Sequence, residues 1–510
     1  MHLFEANRTY LKASKIREIR SEVQQILDKV LADQKLHIGI LGDIHPNHQK
    51  SAINLLNYIS LRSSDLRGIQ RKLGFLGMSR LARAESHTEV SLKTTLYYLN
   101  KLLGEEHRFP DRYAISIKAS EKLLKRKTKD LLGGGFEKRR LRIMVTIPSV
   151  AADDGYLIEE MIRKGMDIAR INCAHDSPET WLKMIQHIRN AENATGRKVK
   201  ISMDLNGPKI RTGQLEKSIQ VFTGDHLILT KLRMVGKASQ LMPDNGTIVP
   251  AIVSCTLPQA LDYVQQYDTV YFDDGGIKGT VLEKGTDELL IQIIRADELG
   301  SSLKADKGIN FPDTIIPVHG LTDSDKEDLR FVAKYADMVN FSYVNSRSDV
   351  EEMIDELTML GVHDTLGVVL KIETQLAYNN LIDILLAAMR LPKIGVMIAR
   401  GDLAVEAGWG RMGVIQREML AICSACHVPI IWATQVLENL AKRGYPSRSE
   451  ITDAVNGTKA DCVMLNKGKH IIKAIDVLNQ IIFDLEMHQD KNAPMLPMLK
   501  KIGASKSMVD

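Results

Sequence analysis

The sequence predicts an α/β chain built on a closed (β/α)₈ TIM barrel, and three observations carry that prediction. Eight short apolar runs follow residue 141: IMVTI near 143, DIARIN near 167, KISMDL near 200, DMVNFS near 337, LGVVLKI near 366, IGVMIA near 394, PIIWAT near 429 and DCVMLN near 461. Continuous apolar runs suit parallel strands covered on both faces. Most successive runs are separated by one helical stretch, as in ETWLKMIQHIRNAENATG. Eight alternating units argue for closure rather than an open sheet.

The elements before the barrel read differently. Residues 1–135 predict an all-α N-terminal domain, because Ile16, Ile19, Val23, Ile26, Leu27 and Val30 recur at helical spacing. Ser86 and Glu89 have the spacing of a capping box that would open a helix over Val90–Leu103. Gly133–Gly134–Gly135 mark a boundary, and the KRR run after them reads as a solvated linker. The barrel is expected over 141–213 and 313–486. Residues 214–312 interrupt it with strand-like segments (SIQVF, HLILT, GTIVP, DTVYF, GTVLE, LLIQII). Turns at Asp244–Asn245–Gly246 and Asp273–Asp274–Gly275–Gly276 punctuate them, so a small inserted β-barrel lid domain is expected. Residues 487–510 read as a tail.

Composition narrows the function classes. The 510 residues are 44% hydrophobic and 26% charged, with a formal net charge of +5. Such a balance does not call for a nucleic-acid or membrane partner. No apolar run approaches the roughly 20 residues of a membrane span. The N-terminus lacks a signal-peptide core, and five scattered cysteines suit a reducing compartment, so a cytoplasmic location is expected. Cys423 and Cys426 form a lone CxxC in a helix-like stretch, which argues against a metal or redox role. Cys173 has no evident base partner.

Barrel enzymes work at the C-terminal ends of their strands. There the runs leave Arg170, Asn172 and His175; Asp204, Lys209 and Arg211; Lys371 and Glu373; Arg400, Gly401 and Asp402; Thr434 and Gln435. Taken singly, an acid after a strand is more often a helix cap, and His175 a helix-start residue. Convergence from five strands changes that weighting. Glu373 and Asp402 supply two hard oxygen ligands, the number Mg²⁺ commonly takes from a protein. Arg170, Arg211 and Lys371 supply fixed positive charge, which phosphoryl transfer uses for positioning and charge stabilisation.

These residues also carry a family resemblance. GMDIARINCAH resembles the pyruvate kinase segment G-M-N-x-A-R-x-N-F-S-H, and MDLNGPKIRTG resembles its L-D-T-K-G-P-E-I-R-T-G. VYFDDGGI, KGINFP, KIET, MIARGDLAVE and WATQVLENL have counterparts in the same order, over about residues 141–480. The resemblance implies transfer of a phosphoryl group from phosphoenolpyruvate to ADP, giving pyruvate and ATP in glycolysis, with Mg²⁺ or Mn²⁺ as cofactor. It implies Glu373 and Asp402 as metal ligands, Lys371 as the lysine that steadies charge on the moving group and enolate, and Arg170 as the phosphoryl clamp. Ala399 and Gly401 match the backbone positions that hold the substrate carboxylate, and Thr434 the threonine near the protonated carbon. Asn172, His175, Arg211 and Lys307 match the nucleotide side, with Lys307 reaching in from the lid. A homo-oligomer is expected.

Departures from the family pattern carry expectations of their own. Thr146–Ile147–Pro148 is one glycine short of T-I-G-P, and Asn466–His470 replaces S-G-E-T-A beside the substrate pocket. The chain ends short of the usual C-terminal regulatory domain, so no sugar-phosphate activation through that domain is expected. The family's K⁺ ligands resemble Asn172, Asp204, a serine where this chain has Ala174 and a threonine where it has Leu205. Two ligands are thus lost, while Lys209 stands in place of a glutamate. Its ammonium would replace the ion's charge, so K⁺ is not expected to be required.

Two rival readings remain at the level of sequence. A metal-dependent aldolase or lyase on a related barrel would keep Glu373 and Asp402 but would not need Arg211 and Lys307. A non-catalytic metabolite-binding regulator would not need Lys371, Glu373, Asp402 and Thr434 together. The segment Leu73–Gly77 between helices reads as a C-cap more readily than as a nucleic-acid-binding hairpin.

Overall fold

The structure is a computed structural model that describes residues 12–109, 111–241, 248–317, 320–491 and 493–494. Three strands begin the barrel: β1 (Arg142–Thr146), β2 (Ile168–Asn172) and β3 (Lys200–Asp204). Ten described strands then interrupt it: β4 (Ile219–Val221), β5 (His226–Thr230), β6 (Gln240–Leu241), β7 (Ile248–Val249), β8 (Ala251–Ser254), β9 (Thr269–Phe272), β10 (Ile277–Lys284), β11 (Glu288–Arg295), β12 (Ser301–Leu303) and β13 (Ile309–Asn310). The barrel resumes with β14 (Met338–Phe341), β15 (Gly367–Ile372), β16 (Ile394–Ala399), β17 (Ile430–Ala433) and β18 (Cys462–Leu465). Its eight strands close in the order β1-β18-β17-β16-β15-β14-β3-β2, all parallel. The chain is therefore an α/β barrel protein, with each apolar run of the sequence on a barrel strand.

The inserted strands pack around their own core, which includes Leu229, Val270, Phe272, Val281 and Ile291. Six of them form a sheet in the order β13-β9-β10-β11-β5-β8. The Asp273–Asp274–Gly275 turn joins β9 to β10 with all three residues at positive φ. The expected turn at Asp244–Asn245–Gly246 lies outside the described residues.

The N-terminal helices Ala13–Leu36, Gln49–Arg62, Arg67–Phe75 and Thr88–Leu102 share a core built on the predicted stripe, with Ile19, Val23 and Val30 fully buried, and a fifth helix, Ile117–Leu132, follows them. The helix Ile117–Leu132 does more than pack alongside. Its Leu131 and Leu132 enter the barrel interior and join Met144, Ile168, Met338, Val369, Met397 and Ile431. They plug the floor, the end where the strands begin. Glycine leaves room there at two strand starts: a Cβ on Gly367 or Gly395 would lie 2.4 or 2.6 Å from Leu131 methyl carbons, so Leu131 would have to move.

A buried polar seam joins the same helices to the barrel. Lys127 Nζ donates to His48 Nδ1 and to Ser51 Oγ, each at 2.7 Å. The second nitrogen of His48 reaches the Pro392 carbonyl at 3.2 Å. His427 meets Ser51 Oγ at 3.1 Å and the Ser86 carbonyl at 2.9 Å.

Local expectations fail in two places. Ser86 opens no helix: the helix is Thr88–Leu102, its N-cap is His87 without a side-chain cap, and Glu89 instead bonds Lys93 and the Ala114 amide. The arginines of the KRR run are not solvated. Arg139 is buried against Asp167, and Arg140 donates to the Ala460 and Thr458 carbonyls, so the run fastens the entry to β1.

Candidate active site

Register decides which side chains meet at the C-terminal mouth. Across the barrel Thr146 pairs with Arg170 and Arg170 with Ser202, while Asn172, Asp204 and Asn340 align on β2, β3 and β14. Asp204 is the centre of the resulting network. Arg170 donates to its two oxygens at 2.9 and 2.7 Å, Lys371 Nζ lies 3.2 Å away, and Asn340 donates as well. Burial alone would raise the Asp204 pKa; the Arg170 and Lys371 charges overcome it and hold the carboxyl well below the usual range.

Lys371 extends the network to Glu373 at 3.0 Å and to Ser342 Oγ at 2.7 Å. Burial would lower its pKa, yet the Glu373 and Asp204 carboxylates raise it, so the ammonium is fixed as a cation. Glu373 accepts the Tyr343 amide at 2.8 Å. Burial pushes the Glu373 carboxyl up, Lys371 opposes this, and the charge of Asp402 adds to it. Asp402 accepts from Lys209 Nζ at 2.7 Å.

Glu373 is buried and Asp402 half-buried beside it, and the charge of Asp402 acts against that of Glu373. Among the described residues no group of three or more His, Cys, Asp or Glu side chains is placed to hold a metal. Two carboxylates remain the usual protein contribution for Mg²⁺, with substrate oxygens and water completing the shell. The repulsion between the pair is the electrostatic deficit that such a cation relieves, so the donor set fits the group.

On the far side of the mouth, Thr434 holds a positive φ of 65° and its Oγ1 accepts the Gly401 amide at 2.9 Å. Gly401 lies in the first turn of the helix Arg400–Ala407, whose N-cap is Ala399. Arg400 turns away from the mouth, pairing with Asp453 and stacking over Trp432.

The other sequence candidates are less tightly joined. Asn172 Oδ1 accepts the Ala174 amide at 3.3 Å. His175 is exposed; partial burial, then Lys467, lowers its pKa. Arg211 donates to the Asp306 carbonyl at 3.2 Å, and Lys307 lies on Asp273 at 2.7 Å, so both meet partners in the inserted segment rather than the barrel groups. Lys209 rests on Asp402, not on the Asp204 side where a substitute for an ion between Asn172 and Asp204 would lie.

Sequence reasoning passed over Thr146, Asn340, Ser342, Tyr343 and Glu406 as functional positions. Thr146 accepts from Arg170 at 2.8 Å. Asn340 and Ser342 were visible as polar residues two apart in the otherwise apolar DMVNFS run, hence on one face of the strand. Glu406 accepts from Asn310 Nδ2 at 2.8 Å, tying β13 of the insertion to the helix that carries Asp402. Burial raises its pKa to about 7, with Asp402 and Asp313 acting in the same direction.

Comparison with known proteins agrees with this geometry. Residues 138–471 match the family described as pyruvate kinase, barrel domain. A pyruvate kinase of Encephalitozoon cuniculi is 34% identical over 65% of this chain and 72% of its own length. That of Geobacillus stearothermophilus is 30% identical over 69% of this chain and 58% of its own, and that of Thermotoga maritima 30% over 68% and 71%. The chain therefore spans between about three fifths and three quarters of these relatives.

Proposed function

This chain belongs to the pyruvate kinase family, and we propose from that premise that it transfers a phosphoryl group from phosphoenolpyruvate to ADP in glycolysis, using Mg²⁺ or Mn²⁺. The observation that carries the reading is the network of Arg170, Asp204, Lys371 and Glu373, with Asp402 beside it, at one mouth of the barrel. In this reading residues 214–312 form the lid and 1–135 a helical N-terminal domain that docks on the barrel.

Arg170 has five N–H donors, of which three are engaged by Asp204 and Thr146. The two left over hold phosphoryl oxygens. Asp204 fixes the guanidinium plane, so little reorganisation is needed when the substrate arrives. Lys371, fixed as a cation, stabilises the charge that grows as the enolate of pyruvate leaves. Ala399 and Gly401 bind the substrate carboxylate through the backbone. Thr434 lies beside the carbon that is protonated, and that protonation makes transfer to ADP strongly downhill. Glu373 and Asp402 would hold the divalent ion, which would supply charge neutralisation for the substrate's anionic oxygens. Asn172, His175, Arg211 and Lys307 bind the nucleotide. Lys307 leaves Asp273 as the lid closes, and closure excludes water that would otherwise accept the phosphoryl group.

The finer proposal concerns monovalent cations. Ala174 and Leu205 offer no side-chain oxygen for a monovalent ion; Lys209 brings its ammonium to the mouth on the Asp402 side, 2.7 Å from that carboxylate, rather than beside Asp204. Full activity is expected with tetramethylammonium as the only monovalent cation. A many-fold stimulation by KCl at constant ionic strength defeats this reading.

A coupled assay for pyruvate from phosphoenolpyruvate, ADP and Mg²⁺ tests the main proposal. No turnover of phosphoenolpyruvate with ADP, but metal-dependent release of pyruvate from a 4-hydroxy-2-oxo acid by C–C cleavage, would instead favour the aldolase or lyase class. Binding of phosphoenolpyruvate without turnover would favour a regulator.

A further inference from the structure

The helix that carries Asp402 is short and is not secured by its own sequence. It runs from Arg400 to Ala407, opens at Ala399 without a side-chain cap and stops at Gly408, whose φ is 83°. Helices of two turns have little stability of their own, so their neighbours decide how they are set. At its first turn the Gly401 amide donates to Thr434 Oγ1 at 2.9 Å. At its second turn the holding group is Glu406, which accepts from Asn310 Nδ2 at 2.8 Å. Glu406 stands four residues after Asp402, so the two lie on one face, about 6 Å apart along the axis.

Asn310 brings the inserted sheet to this helix. It is buried on β13, the edge strand of that sheet, opposite Tyr271 of β9. β9 runs into the Asp273–Asp274–Gly275 turn, and the turn rests on the same helix: a Cβ on Gly275 would lie 3.3 Å from Val405. Asp273 of that turn also takes the Lys307 ammonium at 2.7 Å. The insertion therefore meets the Asp402 helix through one strand and one turn. Glu406 is half-buried, and desolvating a carboxylate is costly unless a donor meets it. Among the described residues that donor is Asn310. Two apolar groups would serve for packing alone; a hydrogen bond also fixes how the strand and the helix face each other.

We propose that Glu406 is a positioning residue: its bond with Asn310 sets the Asp402 helix against the inserted sheet, so that the metal carboxylate and the nucleotide side of the mouth are held in register. The inference rests on the reading of Glu373 and Asp402 as the divalent-ion ligands and extends it to a residue outside the ligand set. Groups that orient a metal ligand without touching the metal are worth about 10–100-fold in metal affinity. Coupling of this kind is reciprocal, so an ion held at Asp402 also steadies β13.

The test separates position from charge, because Glu406 and Asp402 also feel each other's charge. Glu406→Gln and Glu406→Ala are both neutral, but the glutamine keeps an acceptor for Asn310 and the alanine does not. Mn²⁺ is titrated against the full chain without nucleotide, and the free ion is read by electron paramagnetic resonance. Glu406→Ala should bind Mn²⁺ about tenfold more weakly than Glu406→Gln. Asn310→Ala should erase that difference, as expected for two residues that act as one unit. Equal affinity in the two Glu406 variants, or a difference that survives Asn310→Ala, overturns the proposal. Should the variants fail to fold, hydrogen exchange on the wild-type chain decides: Mn²⁺ should slow exchange in β13 and β9 more than in β8, at the far edge of the sheet. Unchanged exchange in β13 overturns the proposal too. Wild-type Mn²⁺ affinity in Asp402→Ala overturns the ligand reading, and this inference with it. Loss of Mn²⁺ in Asp402→Ala, with equal affinity in the two Glu406 variants, overturns this inference alone.

Discussion

Two lysines are buried at opposite ends of the same barrel, and their surroundings drive them in opposite directions. At the mouth, Lys371 has Glu373 at 3.0 Å and Asp204 at 3.2 Å, and these carboxylates raise its pKa against burial. At the floor, Lys127 is 7% exposed and among the described residues bonds His48 and Ser51, both uncharged; burial lowers its pKa to about 7. Burial alone does not set the charge of a lysine. A carboxylate supplied by a neighbouring strand makes a permanent cation, whereas neutral acceptors leave one that titrates near neutrality. The mouth needs the first kind, because charge develops there during reaction.

The largest expected effect breaks the mouth. Lys371→Met should lower kcat about 10²–10³-fold with little change in KM, the signature of an interaction made in the transition state. A rise in KM alone would make Lys371 a binding residue only. The same change also leaves Asp204 and Glu373 less compensated, so a lower melting temperature should accompany it.

The next effect separates the ends by pH. Burial holds the pKa of His48 down at about 2 and that of His427 at about 3. In the unfolded chain each takes up a proton below about pH 6.5. Stability from these groups is therefore present above that value and lost as pH falls. At pH 5 the loss is about 2 kcal/mol for each histidine. Asp204 behaves in the other window: its stability contribution is lost only as pH falls below the ordinary aspartate range. Hydrogen exchange at about pH 5 should thus accelerate first in helices Gln49–Arg62 and Ile117–Leu132 and not in β3 or β15. Uniform acceleration would remove the distinction.

The smallest effect is a change of sign. Lys127→Met removes an uncompensated charge but leaves His48 Nδ1 without its donor. Below pH 7 the first effect outweighs the second, and the variant should be more stable than wild type by roughly 1–2 kcal/mol. Near pH 10 wild-type Lys127 costs little, and the variant should be the less stable of the two. Thermal melts at the two pH values check the crossing; a variant less stable at both would show that the hydrogen bonds dominate. Activity should be unaffected, since Lys127 lies at the opposite end from the site.

How far the sequence alone reveals this depends on distance along the chain. Barrel strands were legible because parallel strands covered on both faces leave unbroken apolar runs. Glu373, Asp402 and Lys371 were legible because they follow such runs directly. Tyr343 was not: what matters is its backbone amide on Glu373 and its phenol facing Asp402, and neither shows in a residue type. Arg139 looked like a linker cation because its partner, Asp167, is 28 residues away. The seam was hidden for the same reason, since Lys127, Ser51 and His427 meet only when distant helices dock. Ser86 and Glu89 had the spacing of a cap, but the His427 ring takes the Ser86 carbonyl and the helix begins after it.

The plugged floor has a consequence for how the molecule is made. The helix that ends in Leu131 and Leu132 emerges from the ribosome before any barrel strand. A closed parallel barrel is slow to assemble because its pairings are distant in sequence; here β1 pairs with β18 more than 300 residues later. The two leucines at the end of that helix offer the strands an apolar surface on which to collect. Gly367 and Gly395 are shaped for that surface, so β15 and β16 find their register against something already in place. The segment made first thus forms the base on which the last strand, β18, closes against β1.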